Sequence, residues 1–183
     1  GKLINTGTID PYKNLWRERA IRYLGFQGEF PVIDASLLKE KMPRRYMQSQ
    51  REKIVVAGMA SRIEAVVVPS GFLCGKSAVQ IIPNLGVCPY ALAAFLNGKD
   101  VTVLYKGLFS MRGMGGNSMN IGPRQIEKMP IPKDFGDELL SKLCEALSFY
   151  SKDLHTSLSI TREKELLEKV DDIIENMMND CSI

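Results

Sequence analysis

Residues 53–69, KIVVAGMASRIEAVVVP, constrain the fold more than any other stretch. β-branched residues crowd two runs, 53–59 and 63–69, separated by the short break Ala60-Ser61-Arg62. Such residues favour pleated, half-buried backbone, and two runs this close together read as a β-hairpin. GKSAVQIIP (75–83) reads as a third strand. A sheet therefore forms the centre, and the remaining segments must cover it.

Helical signals surround these strands. In 31–53 a capping residue, Asp34 or Ser36, precedes a helical charge pattern that breaks at Pro43. In 89–108, PYALAAFLNGKDVTVLYKGL, Pro89 stands where prolines open helices, and the first half reads as helix. The second half fits strand or helix. NSMNI reads as a short strand and GPRQIEKM as a helical turn. Met129-Pro130-Ile131-Pro132 closes this domain, since prolines two apart cannot sit inside a helix. Residues 2–16 read as an extended segment followed by a loop.

Two amphipathic helices follow, over 133–183. Leu139, Leu143, Leu147, Tyr150 and Leu154 mark one stripe; Leu166, Val170, Ile173 and Met177, with Leu167, Ile174 and Met178 beside them, mark another. The spacing predicts a helical hairpin with coiled-coil-like seams.

Charge divides at the same place. Residues 1–128 carry 18 Lys/Arg against 9 Asp/Glu, a balance of +9; residues 129–183 carry 6 against 12, a balance of −6. A basic body points to a polyanionic partner, and an acidic tail to a separate docking task. On that basis the tail is expected to be dispensable for contact with a polyanion. Nothing in the sequence reads as a membrane span. The chain opens at Gly1 with no leader pattern, which reads as a piece of a longer protein, with a processed start as the alternative. Cys74, Cys88, Cys144 and Cys181 match no zinc spacing, and His155 is the single histidine. Isolated cysteines fit a reducing, cytoplasmic setting.

Several motifs invite catalytic readings. Ile9-Asp10-Pro11-Tyr12 approaches the Asn/Asp/Ser-Pro-Pro-Tyr/Phe loop of amino methyltransferases, whose aromatic stacks on a flipped base. It lacks the second proline and a preceding cofactor-binding unit, and Asp-Pro is a turn signal, so a plain turn is the reading. Residues 113–118, GMGGNS, lack the Gly-Lys-Ser/Thr ending of a phosphate loop and do not open a helix as GxGxxG would. Gly75-Lys76-Ser77 has Ser70 where the first phosphate-loop glycine belongs. Glycines here supply bendable, closely approachable backbone instead. No GxSxG occurs, which leaves nucleophile triads unsupported.

The basic residues say more as a group. Arg44, Arg45, Arg51, Lys53, Arg62 and Lys76 cluster around the hairpin, with Gln48, Gln50 and Ser77 interleaved. Arg and Gln can read guanine and adenine edges bidentately, while Lys mainly neutralises phosphate. Lys53 is accordingly read as a phosphate contact. Arg112 and Asn117, in the glycine segment, complete the candidate DNA-binding set.

INTGTIDPY, KIVVAGM…IEAVVV, YALAAFLNGKDVTVLYK and GGNSMNIGPRQIEKMPIP occur in a telling order. The chain resembles the TaqI-like C-terminal specificity domain, the target-recognition part of adenine-specific DNA methyltransferases that often carry an endonuclease. It is also similar to one recognition half of a type I restriction specificity subunit. The family's helix usually reads LNS where this chain has Asn97-Gly98. The resemblance covers about 1–132, with the two terminal helices fitting the family's spacer helices. It implies an α+β fold, a twisted, partly barrel-like mixed sheet with packed helices, followed by the helical hairpin. It implies sequence-specific recognition of double-stranded DNA and no catalysis in this chain. S-adenosylmethionine and the chemistry would belong to an N-terminal methyltransferase domain of the parent polypeptide. Two other readings stay open: a protein-interaction module docking through the terminal helices, and an RNA-binding domain.

Overall fold

The computed structural model describes residues 1–109, 118–132, 138–150 and 157–180. In chain order the elements are β1 (Lys2–Ile4), a 3₁₀ turn (Thr6–Thr8), β2 (Ile9–Asp10), β3 (Lys13–Asn14), β4 (Ile21–Tyr23), β5 (Phe26–Gly28), α1 (Ala35–Lys41) and α2 (Pro43–Ser49). Then come β6 (Lys53–Ala57), β7 (Met59–Ala60), β8 (Ala65–Val68), β9 (Phe72–Cys74), β10 (Ala78–Ile81), α3 (Pro89–Asn97) and α4 (Lys99–Phe109). β11 (Met119–Asn120), α5 (Pro123–Ile126), α6 (Glu138–Tyr150) and α7 (Ser157–Asp180) complete the described chain.

The β-branched hairpin is the centre. β6 pairs antiparallel with β8, setting Ile54 opposite Val67 and Val56 opposite Ala65, and β10 pairs along the other side of β6. Alternate residues of β6 enter different cores, as a two-residue period requires. Ile54 and Val56 face the helical side with Ala65, Phe95, Val101 and Tyr105; Val55 and Ala57 face Ile4, Ile9, Phe72 and Cys74. Every residue of β6 is buried, which is why Ile54–Ala57 is continuously apolar rather than alternating. β1 lies parallel to β9, with Leu3 opposite Leu73. A third, smaller core of Leu3, Ile21, Leu38 and Leu73 seats α1 and α2.

Local signals set the helix ends. Asp34, not Ser36, caps α1 by accepting from the Leu37 N–H at 2.8 Å. Pro43 opens α2 and Pro89 opens α3, positions where a missing N–H costs nothing. The ambiguous half of 89–108 is helical: α4 turns Val101, Thr102 and Tyr105 inward and leaves Val103 exposed. Gly98 separates α3 from α4, and a Cβ there would stand 3.0 Å from Ile174 Cγ2. This close approach of α7 leaves little room for a side chain at position 98.

The fold is thus α+β with a mixed set of small sheets. No closed barrel forms among the described residues.

The terminal helices differ from the expectation in two respects. The buried stripe of α6 is Leu140, Cys144 and Leu147, whereas Leu139 is 54% exposed. Spacings of three and four fit either of two neighbouring stripes, and packing against α3 selects the one shifted by a residue. Moreover, these helices share one core with the rest: Leu140, Leu147, Val170 and Ile174 belong with Ala91, Phe95 and Tyr105. Part of the tail's acidity is also spent internally. Glu163 pairs with Lys13 at 2.6 Å and Asp171 with Lys99 at 2.9 Å.

No described helix is long and apolar enough to cross a membrane. Cys74, Cys88 and Cys144 are free thiols. Arg112, Asn117, Leu154, His155, Cys181 and the glycines of 113–116 lie outside the described residues.

Candidate nucleic-acid interface

The turn between β9 and β10 organises the site. Gly75 donates its N–H to Ile4 O at 2.7 Å, and a Cβ on it would lie 2.9 Å from Asn5 Cβ. Only glycine fits there without displacing the Asn5–Thr8 turn. Ser77 follows, and its carbonyl accepts from the Gly58 N–H at 3.0 Å and from the Thr6 hydroxyl. Asn5 closes the knot by accepting from Gly7 N–H at 3.1 Å. The turn is therefore held on three sides and presents Lys76 outward, exposed. A strand rather than a helix follows Gly75-Lys76-Ser77, which removes the phosphate-loop geometry.

α2 supplies the opposite wall. Arg45 and Gln48, three apart, share a helix face. Arg45 donates from its guanidinium to Cys74 O, at the end of β9. Arg45, Gln48, Lys76 and Gln80 then line one depression of about 260 Å³. Val79, Gln80 and Pro123 also line a second depression, about 320 Å³, whose other walls include Ile81, Leu92, Ile126 and Met129. The two form one groove with a cationic end and an aliphatic end. Arginine and two amides side by side can read base edges, and Lys76 can neutralise a phosphate.

The other sequence-selected residues fall elsewhere. Arg44 is exposed on α2, and Arg51 is exposed just beyond it. Ser77 is exposed, with its hydroxyl accepting from the Thr6 N–H at 3.4 Å. Arg62 lies beyond the other edge of the sheet, in the β7–β8 connection. It donates to Asn97 O, at the C-terminus of α3, and its Nε is buried with no partner. It takes part in helix capping rather than in the groove.

Lys53 departs furthest from its reading as a phosphate contact. Its side chain is fully buried, and its ammonium donates to Phe72 O at 3.0 Å and to Ser49 O at 3.4 Å. It ties the end of α2 to β9 from inside. Burial lowers its pKa to about 8, partly offset by the neighbouring Cys74. The folded state therefore binds this proton less tightly than the unfolded chain, whose lysine titrates near ~10.4. Folding stability is expected to rise as pH climbs from about 8 towards 10, where only the unfolded chain still holds the proton. Urea unfolding of the parent and Lys53→Met at pH 7.5 and 9.5 measures this; a difference between them that is the same at both pH values would refute it.

Cys74 is no nucleophile, since burial pushes its thiol up to about 11. Tyr12 sits in the β2–β3 turn at φ 63°, buried, with its hydroxyl donating to Ala94 O at 3.4 Å. Its ring cannot stack on a base, in keeping with the plain-turn reading. Among the described residues no cluster of His, Cys, Asp or Glu could hold a metal.

Sequence reasoning missed Gln80, which the apolar run AVQI hides, and the aromatic cluster around Trp16, which read as loop. A polar residue inside an apolar strand was the available signal for the first.

No family model matches the chain, and none of the curated proteins matches its sequence.

Proposed function

We propose that this chain is a DNA target-recognition domain, the specificity part of an adenine-N6 restriction–modification methyltransferase, whose groove between α2 and the β9–β10 turn receives duplex DNA. The observation that carries the reading is the convergence of Arg45, Gln48, Lys76 and Gln80 in one depression. These are side chains that read bases and neutralise phosphate, brought together from two separate segments. The order of sequence blocks resembling the TaqI-like specificity domain supports it, together with the +9 balance of residues 1–128. In this reading the small sheets correspond to the family's partly barrel-like sheet. The adenine would be flipped and methylated by an N-terminal methyltransferase domain that holds S-adenosylmethionine, in the cytoplasm.

Selection from a pool of random duplexes tests the proposal. Enrichment of one sequence motif is expected; recovery of sequences indistinguishable from the starting pool would overturn it. The chain alone is expected to transfer no labelled methyl group from S-adenosylmethionine to DNA. Methylation above a no-protein control would place catalysis in this chain and contradict the division of labour.

A further inference from the structure

Trp16 is the only tryptophan in the chain, and two cations bracket its environment. The guanidinium carbon of Arg17 lies 5.0 Å from the Trp16 ring centroid and 5.7 Å from that of Phe30. Lys2 Nζ lies 5.2 Å from the Trp16 ring and 5.2 Å from the Phe72 ring. The rings support one another edge to face, Trp16 with Phe30 at 6.2 Å and with Phe72 at 6.3 Å, and the indole N–H is tied to Pro31 O at 3.2 Å. Cation–π contact thus holds two like charges at one aromatic cluster.

Neither cation pairs with a carboxylate among the described residues, although Glu18 and Glu29 are close in sequence and exposed. Arg19 by contrast is satisfied by a bidentate pair with Asp10 at 3.0 and 3.1 Å. The backbone at Arg17 is in the left-handed region, φ 82°, which disfavours a side chain. An exposed arginine in that conformation, held within cation–π distance of two rings and paired with no carboxylate among the described residues, is open to an oxyanion. Phe30 is 57% exposed beside it.

We infer that Lys2, Trp16 and Arg17 form a second anchoring point that takes a backbone phosphodiester of the bound DNA. This rests on the DNA-recognition reading above and extends it to a surface the groove does not include. A guanidinium held beside aromatic rings can present two N–H groups to one phosphate, and the exposed Phe30 ring suits the sugar and base of a nucleotide beside it.

The full chain provides its own probe. Trp16 emission is expected to change on adding duplex DNA and to recover as salt is raised, with inorganic phosphate at equal ionic strength giving a much weaker response. In fluorescence anisotropy against salt, the Lys2→Ala/Arg17→Ala variant is expected to flatten the slope of log affinity by about 0.9, one phosphate's worth. Arg17→Gly, which relieves the positive φ, is expected to keep or raise Tm while losing about half of that slope change. If the double variant retains the parent's slope while Lys76→Ala flattens it, the anchoring point is wrong and the groove stands. A phosphate response equal to that of DNA, or stronger binding of poly-glutamate, overturns the nucleic-acid assignment of this cluster. Absence of any duplex binding by the parent sinks the recognition reading itself, and this inference with it.

Discussion

A chain truncated after residue 133 is expected not to fold cooperatively. Leu140, Leu147, Val170 and Ile174 are each at most 2% exposed and sit in the same core as α3. Burying one such side chain contributes roughly 1.5–3 kcal/mol, so losing four removes on the order of 10 kcal/mol. That is comparable with the whole stability of an ordinary domain, about 5–15 kcal/mol. The truncation would also strip the cover from Ala91, Ala94 and Phe95, all at most 1% exposed when the helices are in place. Leu147→Ala provides the milder probe, with an expected loss of about 2–5 kcal/mol. Thermal unfolding followed by circular dichroism measures both. A truncated chain that melts sharply within a few degrees of the parent would show that the terminal helices are an appendage after all.

Gly58→Ala is expected to be the most damaging small substitution in the sheet. A Cβ on Gly58 would stand 2.3 Å from Ser77 O and 3.0 Å from Ser77 C, both backbone atoms that cannot swing aside. The same residue donates its N–H to Ser77 O at 3.0 Å and to the Thr6 hydroxyl at 3.0 Å, and accepts from Ile121 N–H at 2.9 Å. Relief of the clash must open the β6–β10 end and unseat the turn that carries Lys76. The expected cost is about 3 kcal/mol, the upper end for overpacking. Gly107→Ala is the control: its Cβ would meet open space on α4, and alanine there is expected to stabilise by about 0.5–1 kcal/mol. Equal effects at the two glycines in urea titrations would show that close approach at Gly58 is not what matters.

The central hairpin was legible because its β-branched runs admit few other conformations, and its one neighbour in the sheet, β10, read as a third strand. Pro89 marked a helix start for a purely local reason, whereas Pro43, read as a break, opens a helix of its own. What the sequence concealed depends on contacts distant along the chain. Lys53, at the head of a strand, looks like any surface lysine; only the approach of Phe72 O and Ser49 O makes it an interior residue. Leu139 and Leu140 are equally good stripe members until α3 chooses between them. The charge asymmetry overstated the free positive charge, since Lys13 and Lys99 find partners on α7. Within the site, Arg45 and Gln48 could be paired from helical spacing alone. Their meeting with Lys76 and Gln80 needed the β9–β10 turn, and the removal of Arg62 needed the end of α3.

The most direct test of the central claim is the salt dependence of duplex binding in the parent, Lys76→Ala and Lys99→Ala, by fluorescence anisotropy. Arg45 and Lys76, the two cations of the groove, together give a slope of log affinity against log salt of about −1.8 or steeper. Lys76→Ala is expected to flatten it by about 0.9. Lys99→Ala is expected to leave it unchanged, because that ammonium is already held by Asp171. A parent slope near zero, or equal slopes in the parent and Lys76→Ala, would contradict the assignment of the groove to DNA.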